Sequence, residues 1–256
     1  MSTEELLESV RHFTEKMAGP RTYPCNRLLL SGVGVSLRDD LLEVIAAARG
    51  WGVKQVVLHV GLEELGRFNP ERLSGAVERV VLPLVEAVDG VPFEELVKRC
   101  RAAGLATSVN LLLNSENLAN LDELVGHAIA GRPDSISITH PFPGGADAAP
   151  PPSLEEVVEP LLQSARRLDE AGLSVGIKGL PPCYLGGEAA WSWRSSNRWY
   201  VDADRQGGDA LLFFPDVVRF WKGENCRFCA LDDSCDGFFE EHMRRGDYPP
   251  LEPISR

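Results

Sequence analysis

Three of the six cysteines in this chain fall within ten residues, in "ENCRFCALDDSCDGFF" at 224–239. Two thiolates spaced as Cys226-x2-Cys229 can turn toward one centre on a tight loop, and Cys235, after five further residues, can close a third corner. Such a set wants a fourth ligand. Cys183, in "LPPCYLGG", stands upstream across 42 intervening residues, ample chain for a fold-back. Four thiolates suit a four-iron four-sulfur (4Fe-4S) cluster or a structural zinc. Zinc has its own candidate fourth ligand in His242, seven residues after Cys235, although that position reads as an exposed histidine on a following helix. A structural zinc ribbon usually carries two close cysteine pairs, and this chain has one. The expected metal ligands are therefore Cys183, Cys226, Cys229 and Cys235. Cys25 and Cys100 stand alone and read as small buried hydrophobes.

These ligands need a scaffold, which the chain supplies by alternating apolar runs with amphipathic stretches. The N-terminus reads as a helix, with Ser2 and Glu5 spaced as a capping box and Leu6, Val10, Phe13 and Met17 on one face, ending at Gly19-Pro20. Strand-like runs follow at 27–32, 55–60, 79–85, 107–114, 135–141 and 174–181. Between them lie expected helices at 37–49, capped by Ser36, at 93–103 and at 117–130. After the Pro-rich "AAPPP", Ser153 and Glu156 form a second capping box that opens a helix to about 171. Apolar strands separated by crossover helices demand parallel pairing with helices covering the sheet. The expected fold class is α/β, a partial (open) βα barrel over 1–182 followed by a Cys-rich extension over 183–256. In such a barrel function gathers at the strand ends, which present Ser31, His59, Asn110, Asn114, His140 and Lys178. His140 and Lys178 have the types of an acid and a base, but "HPFPGG" reads equally as a strand-to-loop turn. "SSNRWYVDADR", at 195–205, reads as a short strand beside the barrel mouth or as the wall of a peptide groove.

Composition narrows the setting. A formal net charge of −12 comes with no basic block of the kind that neutralises phosphates, so nucleic acid is not an expected partner. No run reaches the roughly 18 apolar residues that span a bilayer, and "MSTEELLESVRHF" is acidic where a signal peptide is basic. The expectation is a cytoplasmic protein with no membrane partner. In a reducing compartment, clustered cysteines are more often metal ligands than disulfides.

With these residues on the page, the chain resembles the radical S-adenosylmethionine (radical SAM) superfamily, in particular members with a C-terminal auxiliary cluster of the SPASM or twitch type. Cys226, Cys229 and Cys235 match that family's C-x2-C-x5-C core, and "CDGFFEEHMRRGDYPPLEPI" is similar to its glycine-aromatic tail. Phe239 stands where a further cysteine often follows, which implies one auxiliary 4Fe-4S cluster with Cys183 as its remaining ligand. "LLLSGVGVSLRDDLLEVIAAARGWGVKQVVLHVGLEEL" is similar in layout to the family's Gly-Gly-Glu-Pro segment, helix and next strand.

The departures shape the expected function. The family's C-x3-C-x2-C loop, which binds the SAM-cleaving cluster, is absent, since Cys25 and Cys100 are the only cysteines before Cys183. The Gly-Gly-Glu-Pro stretch reads Gly32-Val33-Gly34-Val35, with no carboxylate for an amine. The N-terminal helix corresponds to the one that follows the missing loop. The resemblance thus implies a degenerate member, a non-catalytic or partner-dependent iron-sulfur subunit in peptide or natural-product modification. S-adenosylmethionine is not expected to bind the isolated chain. The expected partner is a catalytic radical SAM subunit or a peptide substrate, with docking along a strand edge left bare by the missing first βα unit. The alternative is a self-sufficient α/β-barrel enzyme: a radical SAM enzyme completed by another chain, or a barrel enzyme with a structural zinc in its tail.

Overall fold

The computed structural model describes residues 2–17, 27–141, 152–186, 188–194, 199–202, 211–213, 218–246 and 248–255. Cys25, the Gly19-Pro20 helix end, most of the Pro-rich loop and the flanks of "SSNRWYVDADR" lie outside them. The chain forms two compact units, Met1–Val109 with Arg198–Phe214, and Asn110–Asn197 with Pro215–Arg256.

The first unit opens with α1 (Thr3–Met17). Its Ser2/Glu5 capping box is made: Ser2 N donates to Glu5 at 2.6 Å and Glu5 N donates to Ser2 Oγ at 3.2 Å. Leu6, Val10 and Phe13 are buried, and the helix packs on α2 (Leu41–Gly50), after β1 (Arg27–Ser31). β2 (Gln55–His59) and β3 (Arg79–Pro83) follow, then a small hairpin of β4 (Ala87–Val88) and β5 (Val91–Pro92), and α3 (Phe93–Ala102). β1, β2 and β3 pair in parallel, with Leu28 opposite Val56 and His59 opposite Val81. β6 (Ala106–Leu112) begins in this unit and ends in the other.

In the second unit β6 leads to α4 (Ser115–Ala119), α5 (Leu121–Gly131), β7 (Ser135–Thr139), α6 (Leu154–Glu170) and β8 (Val175–Lys178). β7 and β8 are parallel, Ile136 facing Val175 and Thr139 facing Lys178. The capping box opening α6 is made, Glu156 N to Ser153 Oγ at 3.3 Å and Ser153 N to Glu156 at 2.9 Å. The chain then returns to the first unit for β9 (Trp199–Asp202) and β10 (Leu211–Phe213), and closes in the second with β11 (Phe220–Trp221), β12 (Phe238–Phe239) and α7 (Glu240–Arg245). Strand order is β10-β9-β1-β2-β3-β6 in the first unit and β6-β7-β8 in the second.

Three expectations are corrected. The strand edge beside β1 is not bare: β9 pairs with it in parallel, Leu30 opposite Val201, and β10 adds an antiparallel strand outside β9. A row of unpaired backbone groups is costly, and a later segment of the same chain satisfies it. Ser36 does not cap α2, whose N-cap is Asp40; Ser36 lies in a 3-10 turn, Val35–Leu37, with its hydroxyl on Glu64. The single helix expected at 117–130 is two, broken at Asn120 (φ −106°, ψ 14°), with an Asn114/Asn117 capping box opening the first.

Candidate metal centre

Cys183 follows β8 through a sharp turn. At Gly179, φ is +82° and an added Cβ would lie 2.7 Å from the His140 carbonyl oxygen, so the close approach requires glycine. Pro181 and Pro182 then accept from Tyr184 N and Leu185 N at 3.0 Å each, a turn that buries Tyr184 and Leu185 and presents the half-buried Cys183.

The other three cysteines sit on a loop whose ends are tied by the β11–β12 ladder, Phe220 opposite Phe239 and Trp221 opposite Phe238. Two short 3-10 turns carry them. Cys226 N donates to Gly223 O at 3.0 Å, Cys229 N to Cys226 O at 2.9 Å, and Cys235 N to Leu231 O at 2.9 Å. Lys222 Nζ pins the loop to Asp232 at 2.8 Å, and Arg194 holds Asp236 at 2.7 Å. At Gly237 (φ +87°) a Cβ would run into the Trp221 carbonyl, so this exit from the loop also requires glycine.

Together these turns bring Cys183, Cys226, Cys229 and Cys235 to one pocket, walled by Pro181, Pro182, Leu231 and Leu251 among others. Backbone amides point at the sulfurs: Leu231 N and Ile254 N to Cys229 Sγ at 3.4 Å each, and Gly237 N to Cys235 Sγ at 3.3 Å. Burial pushes the Cys183 thiol up to about 11, with further upward pressure from Cys235 and Cys226; Cys235 is also raised by burial, against which the Gly237 amide works. Without a metal these two groups are therefore protonated thiols at neutral pH, and any metal that binds must displace their protons. Among the described residues, no group of three or more His, Cys, Asp and Glu is arranged to hold a metal ion.

Beside the pocket lies a buried aromatic cluster. Phe238, Phe239, His140, His242, Tyr184 and Tyr248 stack with ring centroids 4.7–6.3 Å apart. Phe239, in the place of a further cysteine, is fully buried here. His242, expected to be exposed, is 1% exposed, because α7 turns that face onto Phe238 rather than to solvent. It does not line the cysteine pocket. His140 is fully buried and held near pKa 3 by desolvation and by His242, so it is a neutral core histidine. Cys100 is buried in α3, as expected of a small hydrophobe.

The remaining strand-end residues do other work. Asn110 accepts from Ser137 Oγ at 2.8 Å and Thr139 Oγ1 at 2.7 Å; Asn114 caps α4. Lys178 Nζ lies 5.8 Å from the Trp193 ring centroid. In the first unit, the turn at Gly32-Val33-Gly34-Val35 does meet a carboxylate, from a residue that sequence reasoning missed. Buried Glu64 accepts from Gly34 N at 2.7 Å, from Ser36 N at 3.1 Å and from the Ser36 hydroxyl.

Neither a family model nor a curated protein matches the chain. Solved structures do. The crystal structure of Streptococcus suis SuiB bound to S-adenosylmethionine aligns over 100% of this chain and 69% of its own, with TM-score 0.55 at 10% identity. The fold is α/β, an open βα barrel similar to that of SuiB. SuiB without a stated ligand aligns over 97% of this chain and 70% of its own (TM-score 0.54, 12% identity), and SuiB bound to precursor peptide SuiA over 100% and 69% (0.54, 11%). At such identities the likeness is one of fold. Among the described residues no helix is long and apolar enough to cross a membrane.

Proposed function

We propose that this chain is an iron-sulfur protein that holds one auxiliary 4Fe-4S cluster on Cys183, Cys226, Cys229 and Cys235. The observation that carries the reading is the convergence of these four thiols on one pocket, from two segments of the second unit, with backbone amides directed at their sulfurs. A structural zinc ribbon usually carries two close cysteine pairs and this chain has one, which favours iron and sulfide over zinc. The apolar walls and amide donors suit thiolate ligands, since hydrogen bonds to sulfur and low solvent exposure stabilise such clusters. When bound, the cluster supplies one-electron redox chemistry. The chain's own contribution is to hold the four sulfurs and to aim backbone amides at those of Cys229 and Cys235.

The role we propose is that of a partner-dependent subunit in peptide or natural-product modification. Supporting it, a structure of similar fold has been solved with a precursor peptide. The sequence carries no C-x3-C-x2-C loop, and the turn at 32–36 commits its Gly34 and Ser36 amides to the internal carboxylate of Glu64. The SAM-cleaving cluster would then come from a separate chain.

Anaerobic purification followed by iron, sulfide and zinc analysis tests the reading. About one four-iron cluster per chain and a brown protein are expected; stoichiometric zinc in a colourless protein overturns the iron assignment. Incubation with S-adenosylmethionine and dithionite tests the role. No multiple-turnover 5′-deoxyadenosine is expected from the pure chain, and its formation would defeat the non-catalytic assignment.

A further inference from the structure

The last residues of the chain run along the cysteine pocket. Leu251, Glu252, Pro253 and Ile254 all line it, and Leu251 is buried. Ile254 grips the first cysteine turn twice: its amide donates to Cys229 Sγ at 3.4 Å, and its carbonyl accepts from Ala230 N at 3.0 Å. Two residues earlier, Glu252 lines the same pocket as Cys183. Just upstream, the Pro249 carbonyl accepts the Tyr184 hydroxyl, next to Cys183. One short segment thus lies against the turns of two cysteines that are 46 residues apart in sequence.

We infer that residues 251–254 are a backbone clamp of the cysteine centre, whose Ile254 amide positions Cys229 and raises the reduction potential of the cluster it helps hold. The inference rests on the cluster reading above. Hydrogen bonds to ligand sulfur withdraw electron density and favour the reduced, more negative state. Because the donor is a backbone group, side-chain truncation leaves it in place, whereas proline deletes it. Ile254 is a positioning residue in this scheme, acting through Cys229.

The test is a potentiometric titration of the iron-loaded full chain and of Ile254→Ala and Ile254→Pro. The alanine variant is expected to keep the wild-type midpoint potential and the proline variant to become harder to reduce. A proline variant with wild-type potential overturns the inference. Should it lose the cluster, hydrogen exchange on the wild type decides: metal loading is expected to slow exchange in peptide 249–256 by about tenfold or more, and equal exchange with and without metal overturns the clamp. A wild-type chain holding zinc defeats the cluster reading and the potential with it, while the exchange measurement still decides the clamp. A wild-type chain holding no metal sinks both.

Discussion

The Nε2 of His140 lies 2.7 Å from the Tyr248 hydroxyl, so the residue that follows β7 is tied to the chain's last dozen residues. The pair is buried, and desolvation first, then His242, pushes His140 down to about 3. An unfolded histidine titrates near 6.5, so between about pH 6.5 and 3 the unfolded chain binds the extra proton. The stability from a neutral His140 is therefore complete above about 6.5 and lost as pH falls toward 3. Two pH units into this window the loss is about 2–3 kcal/mol. Urea midpoints at pH 7.5 and 4.5 should fall further for wild type than for His140→Gln; equal slopes would remove His140 as the titrating group.

Glu64 is the second point of failure. Glu64→Ala leaves the Gly34 and Ser36 amides without their acceptor, and each unsatisfied buried donor costs about 1–3 kcal/mol. We expect a lower urea midpoint together with faster amide exchange at 32–36. Unchanged exchange there would mean that water replaces the carboxylate without loss.

Trp193 lies flat on β8, its amide bonded to Ile177 O at 2.8 Å and its ring where a Gly176 side chain would be. Gly176→Ala should cost about 1–3 kcal/mol by overpacking. A double-mutant cycle checks the cause: with Trp193→Ala in place, the same substitution should become nearly neutral. Independent, additive effects would place the strain elsewhere.

The cysteines divide cleanly. Cys226→Ala, Cys229→Ala, Cys235→Ala and Cys183→Ala should each abolish stoichiometric iron and loosen the tail, because metal binding and local folding are coupled. Cys100→Ala, in the helix-covered core, should leave iron content unchanged and cost about 1 kcal/mol of stability. Full iron in Cys183→Ala would remove that residue from the ligand set.

Much of this was legible in the chain's local pattern. Both Ser-x-x-Glu capping boxes form where their spacing places them, and the six long strand runs pair in the alternation that apolar runs and helices prescribe. The tight turns of Cys226, Cys229 and Cys235 follow from spacing alone. The break at Asn120 was not legible, because 117–130 carries continuous helical periodicity and a single residue outside helical geometry leaves no periodic trace.

What the sequence by itself determined is therefore local: the two Ser-x-x-Glu capping boxes, the strand runs and the cysteine turns, each decided by interactions among near neighbours in the chain. Which distant groups meet was decided by the tertiary structure. Gly34 and Ser36 lie about thirty residues from Glu64, Leu30 pairs across 171 positions with Val201, and His140 reaches Tyr248 across 108. These partnerships arise because a buried amide, carboxylate, imidazole or strand edge must find some partner within the fold. Periodicity reports that such a group is buried; packing alone selects which partner reaches it.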